Sequence, residues 1–579
     1  MTAEEIGCNA DDIISEVVSK IEEFESQHQD KLLRVGAAWD MYKGVPGAAH
    51  RREADGLANT FVYESPRIVD ALTTTQYRMM MSQAPFWEAR GQTGNVSDDI
   101  LFRNSALLER QLEWVQYRKN LYRALKSANL MGTVVVEQPW LQGPMVDGRP
   151  TWEAAGFIPR PINQVFFSAN AVDIEHADFS GTIDIVTNYR LLQFAEGDPG
   201  QSAWLIAGLY EAMQDPNEHL PLPVMNRLTS ARSVSIKGIK TMETYYGPLE
   251  CAQGASGEFV VGLVNRRHLV RLHRPPIPER PLRVAYASWI EQEPYGLGIK
   301  DSELLQKMLN SNRNRVFDLI TFGLYSMFKL DRYAGLDLRE ARIRPWNFLI
   351  MDNIDGIEPM RPDMDAAHFG IKLEEMLKEE FQSRTGAAKN LQSITTDVTA
   401  TEVNVVMDNA TRKIGVDAEI MAEPLLRQPL YYMHKMNQLF VDQPIWIAAT
   451  GERGPMMVSP SDVAHNLDFK VKIVTDKDFR PNRLRRLIEL IQILTSVRNN
   501  IPALNLLPLI AEAVRLHDVN PALVTAPQQS FQQPNMMDMA IKNFELQRSR
   551  LGLLNKEGGM FGQPAPLTGS QETPLPYER

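Results

Sequence analysis

The sequence predicts an α+β protein. Two patterns carry that prediction. Long helical stretches, with apolar residues at steps of three and four, alternate with short β-branched and aromatic runs bounded by Gly and Pro. In addition, two of the longest helical stretches enclose a compact β-rich insert instead of following one another directly. The chain has 579 residues, of which 44% are hydrophobic and 23% charged. That composition suits a globular protein with several cores, about four domains by length alone.

From the N-terminus, Asp11 and Asp12 favour the start of a helix running to about Val35. Its apolar face is Ile13, Ile14, Val17, Val18, Ile21 and Phe24. Trp39 and Tyr42 precede a Gly/Pro loop at Gly44 to Gly47. A second helix covers about Pro66 to Ser82, ended by Pro85. A third covers about Asp98 to Asn129, its many Arg and Lys residues forming a solvated face. The run from Gly132 to Glu137 reads as a buried strand. Strand and turn signals continue to about Arg274, typified by Tyr245-Tyr246-Gly247 and Phe259 to Val264. Residues 1–292 therefore read as one α+β domain with several hairpins.

Glu293-Pro294-Tyr295-Gly296-Leu297-Gly298 opens the central unit. A helix from about Lys300 to Phe328 places Leu305, Met308, Leu309, Val316, Leu319, Ile320 and Met327 on its apolar steps. A second helix, about Asp365 to Ser383, carries Phe369, Leu373, Met376, Leu377 and Phe381 as one stripe. Glu374-Glu375 and Glu379-Glu380 read as its solvated face. Between them, Leu330 to Pro362 holds strand-like runs, the clearest being Trp346 to Met351. Such a unit makes a protruding stalk, and a solitary globular enzyme rarely has one.

Gly386 to Val398 reads as a polar loop, and Thr399-Ala400-Thr401-Glu402 fits a capping box for a helix to about Phe440. Pro424 and Pro429 must kink or split that helix. Strands follow at Pro444 to Thr450 and Phe469 to Val474, then helices at Asn482 to Arg498 and Leu504 to His517. Beyond Thr525 the chain is rich in Gln, Pro, Met and Gly, with a short helix near Met536 to Arg550.

Several function classes are disfavoured. The formal charge of −11 argues against a protein that coats DNA by attraction. With only Cys8 and Cys251, a disulfide framework is not expected and a reducing site of assembly is. The acidic start, Met1 to Glu5, fits neither a signal peptide nor a myristoylation motif, and no run of 18 apolar residues predicts a membrane span. No G-x-x-x-x-G-K-[ST], H-E-x-x-H, C-x-x-C or G-x-S-x-G pattern occurs, and Gly296-x-Gly298 lacks the third glycine of a dinucleotide site. His268 and His273 fall on opposite faces of one strand, so no metal pair is expected. No catalytic residue, cofactor or metal is predicted.

The order of features resembles the portal proteins of tailed bacteriophages, the head–tail connectors, over about residues 30–500. The resemblance rests on Ala128-Asn129-Leu130-Met131-Gly132-Thr133, Ile158 to Phe167 with the acidic stretch Asp173 to Ala177, and Asn265 to Arg271. Its most specific pieces are Glu293-x-Tyr295-Gly296-x-Gly298, leading into a helix rich in Asn and Arg, and Thr399-Ala400-Thr401-Glu402. Pro294 and Trp346 depart from the family pattern. The resemblance implies a portal fold with an α+β wing (1–292 and 399–475), a two-helix stem (293–328 and 364–385), a small β-rich clip (329–363), a tunnel loop (386–398), a helical crown (476–524) and a C-terminal tail (525–579).

It further implies a structural homo-oligomer in the virion, a ring of about twelve subunits at one capsid vertex, assembled in the host cytoplasm with major capsid and scaffolding proteins. Double-stranded DNA would pass through its axis during packaging and ejection. The terminase large subunit would dock on the clip and tail adaptor proteins would replace it, with no membrane partner. Within this reading, Lys389, Asn390 and Gln392 of the tunnel loop are candidate DNA contacts, or else solvated loop residues. Arg339, Arg342 and Arg344 of the clip are candidate contacts to acidic partner surfaces, or else pair with clip carboxylates such as Asp352 and Asp355 of a neighbour. Phe322 to Phe328 is expected to pack between subunits. A channel of acidic balance would release phosphate backbone instead of gripping it. The alternatives are another virion structural protein, such as a tail adaptor or minor capsid protein, and an enzyme with a dispersed site.

Overall fold

A computed structural model describes residues 7–44, 58–81, 85–92, 96–146, 149–196, 204–215, 239–252, 257–291, 293–324, 327–330, 357–360, 364–385, 413–447 and 456–473. All lie in the first of two compact units, Met1–Phe479. The second, Arg480–Arg579, lies outside the described residues, as do the helices expected within it. Helices and strands are mixed throughout, as in an α+β chain.

The described helices of at least eight residues before position 400 are α1 (Ala10–Lys43), α2 (Glu64–Met81), α3 (Asp98–Trp114), α4 (Tyr117–Met131), α5 (Asn188–Ala195), α6 (Ile206–Gln214), α7 (Glu303–Leu324) and α8 (Met364–Thr385). The first runs past Val35 because Ala38 and Met41 continue its buried face, and it stops where Gly44 takes the left-handed conformation at φ 70°. The single helix expected over Asp98 to Asn129 is two. Val115 and Tyr117 are both buried although two residues apart, which one straight helical face does not allow. Gln116 turns the chain between them at φ 50°, and the buried Tyr117 hydroxyl donates to the Leu425 carbonyl at 2.8 Å.

A five-stranded antiparallel sheet has the order His268–His273, Phe259–Val264, Ile239–Gly247, Ser180–Thr187, Val165–Phe167. Its first hairpin turns through Asn265 and Arg266, both at positive φ, the hand that matches strand twist. Arg266 there reaches Glu25 of α1. A three-stranded sheet sets Thr133–Glu137 between Leu282–Tyr286 and Ile158–Pro161. Pro159 and Pro161 are tolerated because their strand is at the edge.

Thr133–Glu137 is buried at every position, and the alternation of its side chains explains why. Val135 joins a core under α1 and the five-stranded sheet, with Phe24, Phe167 and Phe259. Val134 and Val136 join a second core with Tyr117, Leu121, Phe157, Leu425 and Phe469. The strand Trp87–Gly91 pairs with Leu467–Val471, so strands far apart in the described chain share a sheet.

The helix expected to end near Phe440 is described over 413–440. Its prolines neither split nor stop it. Glu423–Arg427 forms a π turn holding Pro424, and Pro429 sits in the first turn of Gln428–Phe440. The wider turn spares the proline rings a clash with the preceding carbonyls. Thr399 to Glu402 lies outside the described residues.

Candidate assembly and partner-binding site

The unit around α7 and α8 begins at a backbone-to-backbone contact. Gly132 ends α4 at φ 88°, and the Gly296-Leu297-Gly298 segment lies directly against it. A Cβ built on Gly132 would overlap the Gly296 carbonyl, and one built on Gly298 would overlap the Gly132 amide nitrogen and lie 2.9 Å from the Leu130 oxygen. Only glycine fits at these three positions. The Thr133 hydroxyl accepts from the Gly296 amide at 2.8 Å, and the Ala287 amide donates to the Gly132 carbonyl at 2.9 Å. Tyr295 is buried against His28 and Phe167. The small-residue turn at Ala128 to Thr133 and the Glu293 to Gly298 motif, two separate pieces of the sequence pattern, are thus one structural joint. Asp301 then accepts from the Gly298 amide at 2.8 Å and starts the short 3₁₀ turn Ile299–Ser302 that leads into α7.

Along α7, Gln306, Asn310, Asn314 and Asp318 recur every fourth residue and form one polar row. This row holds the segment preceding α2. The amides of Ala58, Thr60 and Val62 donate to Asp318 (2.7 Å), Asn314 (2.7 Å) and Asn310 (3.0 Å). Gln306 closes the row: its Oε1 accepts from the Ser65 hydroxyl at 2.6 Å, and its Nε2 donates to the Val62 carbonyl at 2.6 Å. The spacings match. Four helical residues rise about 6 Å, close to the roughly 6.6 Å spanned by two extended residues. The asparagines of this helix therefore include a hydrogen-bonding ladder to main chain. An i, i+4 scan for amide side chains would have found it.

The helices α7 and α8 pack on each other. Asn312 Nδ2 donates to the Gly370 carbonyl at 2.7 Å, and a Cβ on Gly370 would strike Val316. Arg313 binds Glu374 through both Nε (2.5 Å) and Nη2, and Lys378 also reaches Glu374 at 2.6 Å. Glu374 is therefore a buried ion-pair residue. This corrects the reading of Glu374-Glu375 as wholly solvated: the Glu374 carboxylate is buried against α7, where Arg313 compensates it together with Lys378 of α8. The expected apolar stripe also divides. Leu377 and Phe381 are buried, whereas Phe369 and Met376 are 69% and 65% exposed. On α7, Leu304 is 70% exposed and Met308 is also exposed.

The helix α7 ends at Leu324, four residues before the expected Phe328. Met327–Leu330 instead pairs antiparallel with Ile357–Met360, Met327 facing Met360 and Leu330 facing Ile357. Pairing satisfies the backbone groups of both ends of the insert and brings them together at its base. Trp346 to Met351, Arg339, Arg342, Arg344, Asp352 and Asp355 lie outside the described residues. So do Lys389, Asn390 and Gln392. Among the described residues, no helix is long and apolar enough to cross a membrane. His268 pairs with Asp215 at 3.1 Å.

Residues 351–551 match a family model described as the phage SU10 portal protein. The match begins inside the insert between α7 and α8 and supports a phage portal protein, whose family is structural and whose members are virion components. No curated protein matches the chain.

Proposed function

We propose, from the portal-family match as premise, that this chain is the repeating subunit of a ring at one capsid vertex and that duplex DNA passes through the ring's axis. The match over residues 351–551 carries the reading. The helix pair gives it physical support. Two helices locked by Arg313–Glu374 and Asn312–Gly370 hold an insert closed at its base by paired strands. The same pair exposes Leu304, Met308, Phe369 and Met376 in the single chain. Neighbouring copies that covered these side chains would each gain roughly 1.5–3 kcal/mol per residue buried.

In this reading α7 and α8 are the stem, residues 329–363 the clip and 386–398 the tunnel loop. The pairing of Trp87–Gly91 with Leu467–Val471 supports a wing assembled from both sides of the stem. Terminase would dock on the clip during packaging and tail adaptor proteins would follow, with Arg339, Arg342 and Arg344 meeting their acidic surfaces. Lys389, Asn390 and Gln392 would meet DNA in the channel. With −11 formal charge per copy, the ring as a whole has little net attraction for phosphate, which suits a conduit.

Negative-stain imaging of the purified protein tests this directly. Rings of about twelve subunits with a hole wide enough for duplex DNA are expected. The double variant Phe369→Ser, Met376→Ser should leave each chain folded while shifting the protein to smaller species in sedimentation. Compact particles without a hole at every concentration and salt would overturn the ring and the conduit together.

A further inference from the structure

Cys8 and Cys251 are the only cysteines of the chain and lie far apart in sequence. The fold brings them together. Cys8 sits just before α1, and Cys251 lies just after the strand Ile239–Gly247. Glu16, two turns into α1, accepts from the backbone amides of Glu250 (2.9 Å) and Cys251 (3.1 Å). Lys20 neutralises Glu16 at 2.7 Å, so this bracket is held by the backbone and an ion pair whatever the state of the thiols. Within it the two thiols hydrogen-bond to each other. Neither is in a disulfide; Cys8 is buried and Cys251 partly exposed.

We propose that Cys8 and Cys251 form a redox modification site, closing to an intramolecular disulfide when the protein meets a small-molecule disulfide such as oxidised glutathione. The partly exposed Cys251 is the entry point. Its thiolate, having given its proton to solvent, attacks one sulfur of the oxidant. A mixed disulfide forms and one glutathione thiolate leaves. Cys8 then loses its proton and attacks the Cys251 sulfur, forming the Cys8–Cys251 bond and releasing the second glutathione. Two cysteine thiols are oxidised and one small disulfide is reduced to two thiols. The closed bond would tie the start of α1 to the end of the central strand of the five-stranded sheet, two elements otherwise joined here through Glu16, Lys20 and apolar packing.

The reaction should be slow near neutrality. Burial, reinforced by the facing Cys8 thiol and the Glu16 carboxylate, pushes the Cys251 thiol up to about 12. Thiolate is therefore scarce, and the closing rate should rise about tenfold per pH unit over the neutral to mildly alkaline range.

The test uses the full chain, incubated with oxidised glutathione at neutral and alkaline pH, quenched in acid, denatured, treated with N-ethylmaleimide and weighed intact. Two maleimide adducts are expected before oxidation. None is expected after it, with a mass lower by two hydrogens and a Cys8–Cys251 cross-linked peptide in the digest. The oxidised protein should also melt at a higher temperature than the reduced one, a difference that Cys8→Ser abolishes. Two maleimide adducts persisting after prolonged oxidation at alkaline pH, or disulfide-linked dimers in place of the internal bond, would overturn the proposal.

Discussion

The foot and the body of α7 are positioned by opposite means. At the foot, side chains are excluded: Gly296 and Gly298 lie against Gly132 with no room for a Cβ. Along the body, side chains are required, and of one kind: Gln306, Asn310, Asn314 and Asp318 receive the main chain of residues 58–65. The foot is thus intolerant of any added atom, whereas the rungs at Asn310, Asn314 and Asp318 ask of the side chain an acceptor at the right height, and Gln306 supplies a donor as well. A third region completes the contrast. Glu243, in the central strand of the five-stranded sheet, is fully buried with both oxygens lacking a hydrogen bond, and Arg266 stands 3.5 Å away. Buried amides with matched partners cost the fold little, while a buried carboxylate without them leaves it sensitive to pH.

The largest test of this contrast is Gly298→Ala. The added methyl meets the Gly132 backbone, which cannot yield without moving α4. A loss of about 3 kcal/mol or more is expected in chemical denaturation, and a near-neutral result would mean that the joint is loose. Next is Gln306→Leu. Ser65 is fully buried and gives both its amide and its hydroxyl to Gln306, so an isosteric apolar side chain strands both donors. The expected cost is about 2–3 kcal/mol.

Glu243→Gln should act in the other direction. Burial, outweighing Arg266, pushes the Glu243 carboxyl up to about 7, against about 4.3 in an unfolded chain. The folded state therefore binds more protons than the unfolded state between these values. That stability is fully present below about 4.3 and is lost as pH rises through 7. The glutamine variant should match the parent at pH 4 and exceed it by about 2–4 kcal/mol at pH 8. Melting curves with the same pH slope for both proteins would show that Glu243 is solvated after all. The smallest effect is expected from Asn314→Ala, about 1 kcal/mol, because Thr60 is exposed and its freed donors can reach water. A loss as large as that of Gln306→Leu would contradict the graded ladder.

Local periodicity located most of the described elements. The apolar steps of Ile13, Val17, Ile21 and Phe24 announce α1, and the run Thr133 to Glu137 announces a buried strand, because both signals reside in neighbouring side chains. It misread the break at Gln116, since nothing in a count of apolar residues marks a single left-handed residue between two helices. It expected Pro424 and Pro429 to kink or split a helix that takes Pro424 into a π turn and Pro429 into the first turn of Gln428–Phe440. It placed Glu374 on a solvated face, because a charged residue at the contact between two helices looks no different in sequence from one facing water.

What the sequence determined by itself was the α+β class, the two long helices with an insert between them, and the motifs that resemble a phage portal protein. These depend on residue order over short windows, where side-chain spacing and backbone geometry are directly linked. Only the tertiary structure decided that Gly132 is the partner of Gly296 and Gly298, that the amides of α7 serve residues 58–65, and that Cys8 meets Cys251. Each of these joins residues far apart in the chain. Which distant groups meet is set by how whole helices and sheets pack, a condition that no single stretch of sequence contains.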